Sequence, residues 1–311
     1  MRKNLHLKLS ICIPTYNRSK YLKNCLNSIL LAKSFSSMKF EICISDNASK
    51  ENILPIIKYY KKKNLLINYK KNTKNLGFGA NFYNVVKMAK GEFLWVIGND
   101  DLLYINALKV IDKLFLKNKD VDFFFINSSS LNSKFVFKHK QPFNTKKIPK
   151  DLINFSKIKK NKKTNFFNLI NPSVSWDFLL GIFLTVYRRE KFIKNLDILN
   201  KKKLNDSRVW STIDNTAPHV KVFSHAFKNS YGFIQAKPLS VNLFGEKEWS
   251  KTYPFIIIVR IPEILEIYRK NGLSFFKYLK YKNYILKKFI PYMFLIIKNK
   301  KVSNYQYISF K

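Results

Sequence analysis

The chain has 311 residues, 46% apolar and 16% aromatic, which is ample for one large core and excludes a disordered chain. Its 58 Lys and Arg against 19 Asp and Glu give a net charge of +39, which points to a polyanion: nucleic acid, an anionic membrane or phosphate-bearing substrates. Lys, Asn, Ile, Phe and Tyr are all over-used, as an AT-rich genome would produce, so part of that charge is ordinary solvated surface.

A strand over residues 9–13 ends at Pro14, and the loop Thr15-Tyr16-Asn17-Arg18 leads to a helix over 20–31 with apolar spacing at Leu22, Leu26, Ile29 and Leu30. A second strand over 40–45 closes on Asp46-Asn47-Ala48-Ser49, and a helix follows over 51–62. A third strand, 66–69, leads through Asn75-Leu76-Gly77-Phe78-Gly79 to a helix over 81–89, with Asn81 as a candidate cap. Phe93, Leu94, Trp95, Val96 and Ile97 form an unbroken apolar run, the pattern of a strand buried on both faces. Gly98 then permits a sharp turn, and Asn99, Asp100 and Asp101 arrive together. Two adjacent acids repel, so the turn suits a cation; it equally suits a polar turn whose Asp caps the next helix, over 104–116. A fifth strand covers 121–126.

This alternation predicts an α/β fold with a doubly wound, mostly parallel sheet. Every loop rich in Asp, Asn or Gly falls at a strand's carboxyl end, where open α/β sheets bind ligands. From about residue 131 the pattern degrades: 133–164 is Lys- and Asn-rich, a long loop or an excursion over the site, with regularity back at 173–187 and 205–227. Beyond 255 the chain looks helical and basic, over 256–268, 273–289 and, after Pro291, 292–297. The sequence shows no internal repeat.

The three cysteines, Cys12, Cys25 and Cys43, lack the paired spacing of a disulfide framework or zinc site, and fit small buried residues in a reducing compartment. The N-terminus is basic and then apolar, but Pro14, Tyr16, Asn17 and Arg18 cut it too short for a signal-peptide core. No stretch reaches the roughly 18 uncharged apolar residues of a membrane span, so a cytoplasmic location is expected. Within 273–289, Phe275, Phe276, Leu279, Tyr284, Ile285, Leu286 and Phe289 interleave with Lys277, Lys280, Lys282, Lys287 and Lys288. Such a helix suits the surface of an anionic membrane, lying on it rather than crossing, and would make the protein peripheral at the inner face. The alternative is an ordinary helix pair with its lysines outward.

With Ile11-Cys12-Ile13-Pro14-Thr15-Tyr16-Asn17-Arg18, Ser45-Asp46-Asn47-Ala48-Ser49, Asn75-x-Gly77-x3-Asn81 and Gly98-Asn99-Asp100-Asp101, roughly the first 130 residues resemble the family 2 glycosyltransferases of the Rossmann-like GT-A fold. The second half is similar to the abequosyltransferase-like enzymes of bacterial surface-polysaccharide assembly, through Ser175-Trp176, Leu184-Thr185-Val186-Tyr187-Arg188-Arg189 and Pro218-His219-Val220. The resemblance implies a nucleotide-binding half (1–130), an acceptor-binding half of the same domain (131–250) and a helical basic extension (251–311). It also implies a nucleotide-diphosphate sugar donor with UDP as the default, Mn2+ or Mg2+, inversion at the anomeric carbon and a lipid-linked glycan acceptor such as a lipopolysaccharide precursor.

By the same resemblance Asp101 is the metal ligand and Asp100 lies near the ribose and sugar. Asn99 replaces the family's usual first Asp, which removes one charge and weakens metal affinity without abolishing it. Asp46 faces the nucleotide base, or else caps the helix after it; Pro14, Thr15, Tyr16, Asn17 and Arg18 pass the nucleotide, with Arg18 available to phosphate. Asn75, Gly77 and Asn81 are structural first and donor-binding second. An inverting transfer needs a base to take the acceptor hydroxyl's proton. Asp214 lies at the family's usual distance, with Asp206, Asp177 and His219 as rivals. Trp176, Trp210 and Trp249 fit either sugar stacking or buried packing. Two other readings stay open: a family-like chain that binds nucleotide sugar or lipid without catalysis, and a basic nucleic-acid-binding protein, for which no recognisable module is present.

Overall fold

The computed structural model describes residues 6–245 and 251–308. Ten strands and thirteen helices account for most of those residues. In chain order they begin β1 (Leu9–Thr15), α1 (Ser19–Lys33), β2 (Phe40–Asp46), α2 (Leu54–Lys62), β3 (Ile67–Lys71), α3 (Gly77–Met88) and β4 (Phe93–Val96). Next come β5 (Asp101–Leu103), α4 (Ala107–Lys117), β6 (Val121–Asn132), α5 (Ser133–Phe137), β7 (Ile153–Asn154) and β8 (Lys162–Asn165). The second half supplies β9 (Thr185–Arg188), α6 (Arg189–Lys194), α7 (Lys201–Leu204), α8 (Ile213–Thr216), α9 (Pro218–Ala226) and β10 (Tyr231–Phe244). Helices α10 (Tyr253–Phe255), α11 (Ile261–Asn271), α12 (Phe275–Leu286) and α13 (Phe289–Lys298) close the chain.

The strands form one mixed sheet in the order β3-β2-β1-β4-β9-β6-β10-β5, with β7 added to β6 and β8 to β10. Strands β3, β2, β1 and β4 run parallel. Leu9, Ile11, Cys12 and Ile13, like Leu94, Trp95 and Val96, are buried because helices cover both faces, which is why these strands are apolar runs rather than alternating patterns. Helix α1 shows the complementary period, burying Leu22, Cys25, Leu26, Ile29 and Ala32 along one stripe. The chain moves outward from β1 to β2 to β3, then returns through α3 to place β4 on the other side of β1. That reversal opens a crevice at the carboxyl ends of β1 and β4, where this class of sheet takes its ligand.

The structure departs from the sequence expectations in several places. Asp101 does not cap a helix near residue 104: it opens the short strand β5, and α4 begins only at Ala107. Asn81 lies inside α3, which starts at Gly77, so it is not a cap. The stretch 133–164 is not one open loop; it holds α5, a helical turn at Thr145–Lys147, β7 and β8. The fourteen-residue β10, absent from the sequence reading, pairs parallel with β6 and antiparallel with β5 and β8. Strand β9 runs antiparallel between β4 and β6, so one continuous sheet joins the early and late parts of the chain.

Cys12, Cys25 and Cys43 are free and buried. Among the described residues no helix is long and apolar enough to cross a membrane.

The late segment packs onto the start of α3 at two glycines. A Cβ on Gly77, whose φ is +80°, would stand 2.9 Å from Ser207 Cα, and one on Gly79 would stand 2.7 Å from Asn215 Cα. Both neighbours are backbone and cannot swing away. Replacing Gly79 with Ala is therefore expected to lower stability by roughly 1–3 kcal/mol in denaturant unfolding, as overpacking does. Phe78→Ala, at an exposed neighbour, is the control and should leave the midpoint within about 0.5 kcal/mol.

Candidate active site

The crevice is built from the loops after β1, β2 and β4. Asn99 Nδ2 donates to Thr15 Oγ1 at 2.7 Å, which ties the first and last of these loops across the switch point. Asn47 N–H donates to the Thr15 carbonyl at 2.9 Å, Asn17 N–H to Ser49 Oγ at 2.9 Å, and Lys50 N–H to Asn17 Oδ1 at 2.8 Å. Asn17 reaches this geometry with φ +46° and Ala48 with φ +63°, so both loops are held in left-handed turns by those bonds. Pro14 falls after the pairing with β4 has ended at Cys12, where its missing N–H is tolerated. Tyr16, in the loop after β1, is exposed.

The two acids sit over Gly98. Asp101, 1% exposed, accepts Gly98 N–H at 2.6 Å on Oδ2 and Asn242 Nδ2 at 2.7 Å on Oδ1. Asp100 meets Arg18 Nη1 at 3.4 Å, with Arg18 itself 5.4 Å above the Tyr21 ring. A Cβ on Gly98 would lie 2.5 Å from Asp100 Oδ1 and 3.2 Å from Asp101 Oδ2, so the two carboxylates converge on a space that only glycine leaves open. Helix α1 supports the turn from beneath, through Cys25 Sγ to the Gly98 carbonyl at 3.8 Å and Leu103 N–H to Ser28 Oγ at 3.0 Å. Burial, and then the charges of Asp101 and Asp100, push the Cys25 thiol well up.

An oxygen-only pair of carboxylates fits a hard divalent ion. Among the described residues no three His, Cys, Asp or Glu side chains gather as a metal cage. An ion here would take the two acids from the protein and complete its shell with phosphate oxygens and water, the usual arrangement for Mg2+ with a nucleotide.

Asp46 is fully buried. Its Oδ1 accepts Ser49 N–H at 2.9 Å and its Oδ2 accepts the Tyr69 hydroxyl at 3.0 Å. It caps no helix, because α2 begins at Leu54; it shapes the loop it starts. Burial and Asp46 together push the Tyr69 phenol up, keeping the proton on the donor. Beside it runs a chain of amides. Asn47 Nδ2 donates to Asn75 Oδ1 at 2.7 Å and to the Gly77 carbonyl at 3.2 Å, while its Oδ1 accepts Leu76 N–H at 2.9 Å and Asn72 Nδ2 at 3.1 Å. Asn81 Oδ1 accepts Ser45 Oγ at 2.7 Å and Asn72 Nδ2 at 3.1 Å. Sequence reasoning passed over the roles of Asn72, Tyr69 and Asn242. The first two stand on or just after β3 facing Asp46, a position a strand register would have exposed; Asn242 has no local signal at all.

The base candidates do not meet at one point. Asp214 is buried and its Oδ1 accepts Asn200 N–H at 2.8 Å and Lys221 Nζ at 3.0 Å, so its carboxylate is committed to structure. His219 is a core residue: Nε2 lies 3.0 Å from the Leu180 carbonyl and its ring packs on Phe82 and Phe223. Asp177 is sealed in a tight turn by Ser175 Oγ and by Gly181 N–H, and burial raises its carboxyl. Asp206 is part-exposed beside Gly77, held by Arg208 and by Ser211 Oγ at 2.9 Å; Arg208 keeps its carboxyl well below the usual range. The segment 206–211 is tied in turn to the C-terminal helices, because buried Arg260 donates to the Trp210 and Ser211 carbonyls and pairs with Glu263. Of the tryptophans, Trp95 is core and bonds the Phe183 carbonyl at 2.9 Å, Trp176 packs 5.8 Å from Tyr253, Trp210 is partly buried, and Trp249 lies outside the described residues.

Burial pulls His219 down to about 4, below its ordinary 6.5. The unfolded chain thus takes up a proton first as pH falls, so this residue's contribution erodes from about pH 6.5 toward 4, by up to about 1.4 kcal/mol per pH unit. Denaturant melts at pH 7 and pH 5 check this: the wild type should lose more stability between them than His219→Gln does.

Residues 10–179 match the family described as Glycosyl transferase family 2. Abequosyltransferase RfbV of Salmonella typhimurium is 39% identical over 114 residues, which are 36% of this chain and 34% of that protein. Poly(ribitol-phosphate) beta-N-acetylglucosaminyltransferase TarS of Staphylococcus aureus is 33% identical over 103 residues, 33% of this chain and 18% of TarS. The matched segments thus span about a third or less of those relatives' own length. In three dimensions the crystal structure of S. aureus TarS 1-349 in complex with UDP covers 91% of this chain and 71% of its own, with TM-score 0.60 and 19% identity. Mannosyltransferase PcManGT from Pyrobaculum calidifontis, in complex with GDP-Man and Mn2+, covers 98% and 78%, with TM-score 0.52 and 13% identity. At those identities the structures speak for the fold, which is α/β and GT-A-like. The family match extends over more than half of the 311 residues and contains all three rim loops, and the chain belongs to glycosyl transferase family 2.

Proposed function

We propose that this protein moves a sugar from a nucleotide-diphosphate donor, UDP- or GDP-linked, to a hydroxyl of a lipid-linked surface-glycan acceptor, with inversion and with Mn2+ or Mg2+. The observation that carries the reading is the convergence of Asp100 and Asp101 over Gly98 at the switch point of the sheet, with Arg18 alongside. In support, a relative of the same fold is described in complex with a nucleotide sugar and Mn2+.

In this reading Asp101 and Asp100 would hold the ion, and Asn242 and the Gly98 amide fix the Asp101 carboxylate so that it need not reorganise as charge develops. An ion bound there would supply Lewis-acid stabilisation of a diphosphate leaving group. Arg18 exchanges Asp100 for a phosphate oxygen when the donor enters, a swap between two charge-assisted partners. Thr15, Tyr16 and Asn17 line the nucleotide's path, and the Asp46–Tyr69 pair together with Asn75, Gly77 and Asn81 shapes the wall on the base side. Among the four base candidates Asp206 leads on access: Asp214 is bound by Lys221, Asp177 is sealed in its own turn and His219 in the core, whereas Arg208, 68% exposed, can be drawn off by an acceptor. Losing that partner raises the basicity of Asp206, as proton abstraction requires. Residues 1–130 form the donor half, 131–250 the acceptor half and 251–311 the basic helical region that meets the membrane.

Asp101→Asn, which keeps shape but removes the charge and one acceptor, is expected to slow sugar transfer by on the order of a hundredfold in Mn2+ and, because one buried N–H donor then faces an NH2 group, to lower the melting midpoint as well. Turnover that is indifferent to chelation and to Asp101→Asn would falsify the metal role. Asp206→Asn is expected to lower kcat by roughly a hundredfold or more with little change in donor KM. A normal kcat in that variant returns the base to another residue.

A further inference from the structure

The last two helices are apolar on the wrong side for a surface pair. Helix α12 packs Tyr278, Tyr281 and Ile285 inward, and α13 packs Ile296. Their outer faces should then be polar, as on a helix that simply covers a core. Instead Phe276 is 83% exposed, Ile290 81% and Phe294 66%, with Phe275, Leu279, Leu286, Phe289, Leu295 and Ile297 also open to solvent. Exposed apolar surface on this scale marks a docking face.

The charges around it name the occupant. From Leu273 to Lys301 the chain carries eight lysines and no Asp or Glu. Lys282 is neutralised by Glu266 of α11 at 3.0 Å; Lys280, Lys287, Lys288, Lys298, Lys300 and Lys301 are exposed, two of them in the turn that joins the helices. A second copy of a chain with net charge +39 would bring like charge against like. A nucleic acid would leave Ile290 and Phe294 without an apolar partner. A bilayer surface rich in acidic lipid satisfies both features, acyl chains for the rings and phosphates for the ammonium groups. At ten residues α13 is about 15 Å long, half of a hydrocarbon core, so it lies in the interface instead of crossing.

We infer that α12 and α13 form an interfacial anchor on anionic lipid, entered by Phe276, Ile290 and Phe294 and ringed by the lysines of 277–301. This deepens the lipid-linked-acceptor reading and rests on it for its biological sense, but its test uses neither donor nor acceptor. The full chain is sedimented with phosphatidylcholine vesicles, with and without phosphatidylglycerol. Two variants accompany it: a triple Phe276→Ser, Ile290→Ser, Phe294→Ser, and a charge reversal Lys280→Glu, Lys287→Glu, Lys288→Glu. Binding only to the phosphatidylglycerol vesicles, weakened by salt and at least about tenfold weaker in each variant, is the expected result. Equal binding to both vesicles, or full binding by the triple variant, overturns it. So does a dimer in light scattering that the triple variant dissolves while vesicle binding is absent, which would assign the face to a second copy. Calorimetric titration of the same samples with UDP and with GDP, each in Mn2+, separates the two ideas: nucleotide binding without vesicle binding sinks the anchor alone, and vesicle binding with neither nucleotide bound sinks the transferase reading alone.

Discussion

The carboxylate of Asp101 is the point on which the molecule turns. Buried, it is stabilised by the Gly98 amide of its own turn and by the Asn242 amide from β10, 141 residues away in sequence. A buried carboxylate is costly unless its lone pairs are satisfied, so the site exists only once β10 has paired with β5. The same pairing closes the far edge of the sheet. Fold completion and preparation of the acid pair are therefore one event.

Polar order elsewhere on the rim is built from neutral amides instead of charge. Asn47, Asn72, Asn75 and Asn81 link the ends of β2 and β3 to the start of α3, and Asn99 reaches Thr15 across the crevice. Such a network positions backbone without adding negative charge beside the two acids, and it leaves the site's field to the carboxylates and Arg18. Every one of these amides is bonded, which is the condition under which a buried polar network stiffens a loop instead of weakening it.

The C-terminal helices are mechanically part of this arrangement. Arg260 holds the backbone at Trp210 and Ser211, and residues 206 and 207 of that same segment press on Gly77, where α3 begins. Chain elements that meet solvent at 275–298 are thus connected through packed backbone to the loop that neighbours Asn47. The close approach at Gly77 and Gly79 allows no slack in that contact.

The parallel half of the fold was legible from the chain alone. Apolar runs at 9–13, 40–45 and 93–97, separated by stretches of helical period, could only be buried strands joined by helices, and the polar loops after them had to share one rim. The closeness of Thr15, Asp46 and Asn99 follows from that topology, and the basic helices near the end were legible from their own spacing. Which partner each acid takes was beyond local pattern: Asn242 reaches Asp101 through a strand whose sequence, YGFIQAKPLSVNLF, carries no clean alternation because both its faces are largely covered. The fates of Asp214, Asp206 and His219 were likewise decided by tertiary contacts, since Lys221, Arg208 and the Leu180 carbonyl determine whether each side chain is a committed carboxylate, a held one or a neutral core ring. Period and composition set by nearest neighbours reveal strands, helices and rims; the protonation and freedom of a side chain depend on groups brought near only when the chain has closed on itself.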